Sequence, residues 1–232
     1  MVRTETGAWL MLAAILGSYI ALSRLVLLLP FELDAWQAEG PRALGRLAAA
    51  GACWLWLRPW IASRRLKPSE VVRAPFLLAA ALFLAVPVLT GTVAHGPFTA
   101  AVNVVGSVMA GLMEEIVFRA LVQRLLARRL GVWAAIVCTT VLFVAYHIGV
   151  VAPVWFAYAQ IVPASLLLGI VYAHTGNLWL VVALHGAYDG LWELAPVLGA
   201  PVSFPVALGM LAAAALLAAQ WGWASLDPEG EG

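Results

Sequence analysis

Residues 109–119 read MAGLMEEIVFR, and they lie inside a largely apolar run from 100 to 126. Two adjacent carboxylates, Glu114 and Glu115, are followed one helical turn later by Arg119. Taking an ionised group into hydrocarbon costs roughly 2.5 kcal/mol or more, so charges inside a membrane-length run are as a rule paired and functional. The stretch therefore predicts a buried helix that carries a polar site.

The rest of the chain sets that helix in a membrane. Of its 232 residues, 64% are hydrophobic and only 11% charged, and the mean hydropathy is +0.95. A soluble domain is about half apolar and about a quarter charged. The charges behind the net +1 are too few and scattered to form a basic face, so the charge balance says nothing of nucleic acid and no such partner is expected. Cys53 and Cys138 both sit in apolar runs and read as small core residues, not as a disulfide framework or a metal cluster. The opening MVRTETGAW leads into an apolar run of full span length with no small-residue cleavage pattern behind it, so it reads as a retained helix.

Windows of about 20 apolar residues match the length that crosses a ~30 Å hydrocarbon core. Eight emerge, at 8–29, 44–61, 75–93, 101–126, 132–148, 153–173, 177–194 and 202–222, separated by punctuation such as Pro30, Pro41, Pro68, Gly131 and Gly176. The prediction is an all-α, polytopic transmembrane bundle of about eight spans. One domain covers 1–226, with its functional core at about 100–194, and a short disordered tail, DPEGEG, follows at 227–232. Arg64, Arg65, Lys67 and Arg73 fall in one connection and Arg124, Arg128 and Arg129 in another, while Glu32, Asp34 and Glu39 follow the first span. The positive-inside rule puts the basic connections and both termini in the cytoplasm, with Arg42 and Arg46 dissenting.

Further polar residues interrupt the apolar spans. Phe143 and His147 are four apart, as are His185 and Asp189, so each pair shares a helix face. Asp189 is placed to orient His185 or to point beside it into a common cavity. Glu114 and His147 lie at similar distances before and after the turn at Gly131. At ~1.5 Å rise per residue an antiparallel hairpin brings them to one depth, about 24 Å from the turn. A carboxylate and imidazoles at one level in a dry cavity suit hydrolysis by an activated water.

Glu114-Glu115-x-x-x-Arg119, Phe143-x-x-x-His147 and His185-x-x-x-Asp189, in this order on successive apolar segments, resemble the three motifs of the CAAX protease and bacteriocin-processing family. That family includes the type II CAAX prenyl endopeptidases and their bacterial relatives. The resemblance implies an intramembrane endopeptidase in a bacterial inner membrane, acting on a membrane-associated protein near its C-terminus. Glu114 would activate water with the help of His147, while His185 and Asp189 would bind the oxyanion. Glu115 would pair with Arg119 and hold the helix in register. Where prenyl proteases carry asparagine this chain has Asp189, and an ionised aspartate cannot donate to an oxyanion, so its expected part is to orient His185 or to be protonated. No cofactor is expected. Zinc held by Glu114, His147 and His185 is the alternative, although the HExxH signature is absent. Rival readings are a proton-coupled transporter using the same charges and a non-catalytic immunity or scaffold protein.

The remaining expectations concern the periphery. His95 and His174 are expected at the surface, Glu193 at the mouth of the site, Arg24 at an interface or inside the bundle, and Trp60, Trp133 and Trp221 in an interfacial belt. The depth argument expects the site to open toward the outer face.

Overall fold

In the computed structural model, residues 4–27, 35–61, 63–90, 96–150, 155–194 and 204–226 are described, and no strand occurs among them. The helices are α1 (Glu5–Leu27), α2 (Ala35–Leu57), a 3-10 turn (Arg58–Trp60), a single turn α3 (Pro68–Val71), α4 (Ala74–Thr90), α5 (Pro97–Glu114), α6 (Arg124–Leu130), α7 (Val132–Val150), α8 (Trp155–Thr175), α9 (Leu178–Leu194) and α10 (Phe204–Leu226). A π-helical stretch, Glu115–Gln123, joins α5 to α6 without a break. The long rods thus fall on the eight apolar windows, and the fold is an all-α bundle. Rods Glu5–Val26, Pro97–Leu130 and Phe204–Trp221 are long and apolar enough to cross a membrane, while Ala74–Leu89 and Val132–Ile148 are apolar but shorter.

Local chemistry explains three of the helix ends. Gly131 (φ 79°) and Gly176 (φ 60°) take the left-handed conformation, and their N–H groups close the preceding helices onto Ala127 O (3.1 Å) and Tyr172 O (2.7 Å). Pro97 opens α5 directly behind Gly96, where its missing N–H removes no helical bond.

One boundary departs from the sequence reading. The stretch around Pro41 and Glu39, read as a connection, belongs to α2. There Arg46 is buried: its Nε donates to Tyr19 Oη (3.0 Å), and Nη1 donates to Gly106 O (3.1 Å) and to Glu39. Glu39 also pairs with Arg42 at 3.4 Å. Arg42 and Arg46, which dissented from the charge count, both pair with Glu39 within α2 and do not lie in a connection.

The rod from α5 through α6 is the axis of the bundle. Every residue from 113 to 123 is buried, so it carries no lipid-facing stripe over that length. In a membrane, helices associate through close packing and polar contacts more than through hydrophobic burial, and small residues allow it here. A Cβ added at Gly111 would meet Gly186 N at 2.9 Å and Cα at 3.3 Å, so α5 and α9 touch backbone to backbone.

Several described connections meet at one end of the bundle. Arg64 N donates to Gly176 O (2.7 Å), Asn177 Nδ2 to Arg64 O (2.7 Å) and Arg124 Nη1 to Trp60 O (2.9 Å), and Arg129 pairs with Glu5 (2.8 Å). The basic connections and the start of α1 therefore share one end.

Several peripheral expectations are corrected. Trp221 is buried against Phe76 and His174, with ring centroids at 5.0 and 3.9 Å, and is not interfacial. His174 is accordingly half-buried, not a surface residue. Arg24 Nη2 donates to Ile148 O (2.9 Å), bridging α1 to α7. His95 and the tail at 227–232 lie outside the described residues.

Candidate active site

Glu114 closes α5 and Glu115 opens the π-helical stretch, so the widened helical turns begin at the paired carboxylates. π-Helical turns are rare and concentrate at functional sites. Both glutamates are buried, Glu115 completely. Arg119 Nε donates to Glu115 Oε2 (3.1 Å), and its Nη2 donates to Ser165 Oγ (3.1 Å), which in turn donates to Thr140 Oγ1 (3.2 Å). The guanidinium also lies 5.3 Å from the centroid of the Phe143 ring. The hydrogen bonds of Nε and Nη2 help to offset the cost of burying this ion pair.

Two histidines face these carboxylates from neighbouring helices. His147 Nδ1 lies 2.8 Å from Phe143 O. A backbone carbonyl only accepts, so Nδ1 carries a proton, and the ring presents Nε2 to Glu114 Oε2, 4.0 Å away. His185 Nδ1 lies 2.7 Å from Glu115 Oε1 and donates to it by the same logic. Its Nε2 then faces Glu114 Oε2 at 3.7 Å and Asp189 Oδ2 at 3.4 Å.

The structure thus brings Glu114, His147, His185 and Asp189 to one place, backed by Glu115, Arg119 and Phe143. Asp189 meets both placements: its Oδ2 contacts His185 Nε2 at 3.4 Å, and the residue also lines the shared cavity. Glu115 is the residue that fixes the His185 tautomer, a role the sequence reading did not give it. The i,i+4 spacing reveals partners on the same helix, whereas the bond from Glu115 to His185 depends on the register of α5 against α9.

The site opens into a cavity of about 160 Å³. Phe83, Gln160, Ile161 and Tyr188 line it beside His147 and Asp189, and Phe83 stacks on Tyr188 at 4.3 Å. Sequence reasoning missed these wall residues because apolar and aromatic positions in apolar helices carry no distinguishing signal. Glu193 is not part of this wall: it accepts from Asn103 Nδ2 (2.9 Å) across α5 and α9.

The donor set is too widely spaced for a zinc ion. A tetrahedral zinc with bonds near 2.0–2.1 Å sets its ligands roughly 3.3 Å apart, less than the 3.7 and 4.0 Å that separate Glu114 Oε2 from the two imidazoles. Among the described residues no group of three His, Cys, Asp or Glu side chains is arranged to hold a metal ion.

Residues 96–191 match the family model of the Rce1-like type II CAAX prenyl endopeptidases. The matched segment carries all three motifs, and the match supports the CAAX protease and bacteriocin-processing family, endopeptidase activity in general, and an integral membrane protein. No curated protein matches the chain.

Proposed function

With residues 96–191 matching the Rce1-like endopeptidases as its premise, we propose that this chain is an intramembrane endopeptidase that cleaves a membrane-associated protein near its C-terminus with a glutamate-activated water. The observation that carries the reading is the buried Glu114 carboxylate facing Nε2 of both His147 and His185 at 4.0 and 3.7 Å. Both separations exceed direct hydrogen bonds, and the 4.0 Å to His147 is the nearer to the roughly 4.5 Å that one water bonded to both partners spans.

In this reading a water between Glu114 and His147 gives a proton to the carboxylate as it attacks the scissile carbonyl. His147, with Nε2 unprotonated, helps to orient that water. His185 in its doubly protonated form donates through Nδ1 to Glu115 and offers Nε2–H to the developing oxyanion. Glu114 then returns its proton to the leaving amine. No step passes through a metal.

Substrate identification and chemistry are tested separately. Membrane proteomes of wild-type and Glu114→Ala cells are compared for proteins whose C-termini shift, and the purified protein in proteoliposomes is assayed on the candidates found. Glu114→Gln is expected to lower cleavage by at least about 100-fold with an unchanged melting profile. Cleavage should survive metal stripping. Activity that returns only on addition of zinc would sink the metal-free mechanism, and unaltered cleavage by Glu114→Gln would sink the assignment of the base.

A further inference from the structure

The side chains around the active-site cavity differ in which of their polar groups are already engaged. Phe83, Phe143, Ile161, Ala164 and Leu168 offer apolar wall. Ser165 Oγ accepts from Arg119 and donates to Thr140. His147 and His185 each commit Nδ1, to Phe143 O and to Glu115, and Nε2 of His185 faces Glu114 and Asp189. Tyr188 presents its ring, stacked on Phe83, while its hydroxyl oxygen is enclosed by protein. One polar lining residue is left. Gln160, in the first half of α8, is half-buried and lines the cavity. Both atoms of its amide are accessible, and neither has a hydrogen-bond partner among the described residues.

An uncommitted amide inside an apolar bundle is costly unless a partner arrives, and the chemistry proposed for this cavity brings one. A peptide bond has to leave its helix before a water can attack it, and the N–H and C=O groups so released find no solvent at hydrocarbon depth. A glutamine amide carries the same donor and acceptor as a peptide group and can pair with one through two hydrogen bonds. The cavity volume of about 160 Å³ is well above the ~15 Å³ that a single water needs, so a peptide group has room beside it. We propose that Gln160 anchors the unwound backbone of the substrate, with Nε2 donating to a substrate C=O and Oε1 accepting a substrate N–H. It does so from α8, while His147 and His185 act from α7 and α9. Recognition through Gln160 is thus of an extended backbone and not of a particular side chain. The assignment rests on the endopeptidase reading.

The test uses a substrate peptide identified by the proteome comparison, with the full-length protein in proteoliposomes. Gln160→Met keeps the length of the side chain and removes both hydrogen-bonding groups. Loss of two bonds is expected to raise KM roughly tenfold. Because the anchored groups do not change bonding in the reaction, kcat should stay within about twofold of wild type, and the melting temperature should not fall. A second series replaces the peptide bonds flanking the scissile one by esters, one at a time, each of which removes a single N–H. In the wild-type protein one such ester should raise KM roughly fivefold, and in Gln160→Met the same ester should add nothing, the coupling expected of two groups in contact. A purely structural glutamine would not produce that coupling. Unchanged KM in Gln160→Met, ester effects equal in the two proteins at every position, or a loss confined to kcat each overturns the anchor. Should Gln160→Met fail to fold, Gln160→Asn takes its place, its amide being one methylene too short to reach, with the same expected rise in KM. A wild-type protein that cleaves none of the peptides overturns the endopeptidase reading and the anchor with it, a result visible without any variant.

Discussion

At the scale of single residues, Glu115 has two partners, and its loss should be felt in both. Glu115→Ala leaves Arg119 buried without its carboxylate and His185 without the acceptor on Nδ1. Breaking one side of a buried ion pair costs about 3–5 kcal/mol, so a large drop in melting temperature is expected along with loss of cleavage. Glu114→Gln, in contrast, should lose cleavage alone. A Glu115→Ala protein that melts like wild type would show that the pair is not structural. Asp189 predicts a milder outcome. Its carboxylate lies 3.4 Å from His185 Nε2 and is partly exposed, and an asparagine there could offer an N–H to the oxyanion. Asp189→Asn should hold kcat within about tenfold of wild type, and a loss as deep as that of Glu114→Gln would assign the carboxylate an essential part. The sequence disclosed these residue types and their helical spacing, because charge in an apolar run stands out at once. It did not disclose that Glu115 serves His185, since that contact is set by packing between helices far apart in the chain.

At the scale of elements, the apolar windows and glycine turns located nearly every rod, while the π-helical stretch Glu115–Gln123 had no visible signature. Its composition is that of any buried α-helix, and the change from i→i+4 to i→i+5 bonding is imposed by what surrounds it. Likewise Pro41 looked like a break and lies inside α2. The contact that sets the site's register is the approach of Gly111 to Gly186. Gly111 lies about one turn before the paired glutamates, and Gly186 directly follows His185. A methyl at Gly111 would press on the backbone of α9, which has no flexible side-chain end to yield. Gly111→Ala should therefore separate α5 from α9, cost about 1–3 kcal/mol, and lower kcat by pulling His185 away from Glu114 and Glu115. Gly209 tests the specificity of this effect, because a Cβ there meets nothing within 4 Å. Gly209→Ala should leave melting and cleavage unchanged, and equal effects of the two substitutions would remove the register argument.

At the scale of the whole molecule, the remaining question is the side of the membrane to which the site opens. The depth estimate from the sequence placed Glu114 nearer the outer face. The structure puts it close to the middle of the 34-residue rod Pro97–Leu130, so Glu114 alone does not decide. The cavity walls carry the argument instead. Phe143 and His147 lie in the second half of α7, Gln160 and Ile161 in the first half of α8, and Tyr188 and Asp189 in the second half of α9. All these segments point away from the end at which Arg64, Arg124 and Arg129 collect with Glu5 and Gly176. If the basic end is cytoplasmic, as the positive-inside rule proposes, both termini are cytoplasmic and the cavity faces outward. A substrate would then be an exported or membrane-anchored protein with a C-terminal helix, in preference to a cytoplasmic tail. Replacing Cys53 and Cys138 gives a background for single cysteines at Ser69, in the exposed turn α3, and at Gly149, near the end of α7. An impermeant thiol reagent applied to intact cells should label position 149 and spare position 69 until the membrane is opened. Labelling of position 69 with position 149 protected would invert the bundle, and the same cavity would then receive its substrate from the cytoplasm.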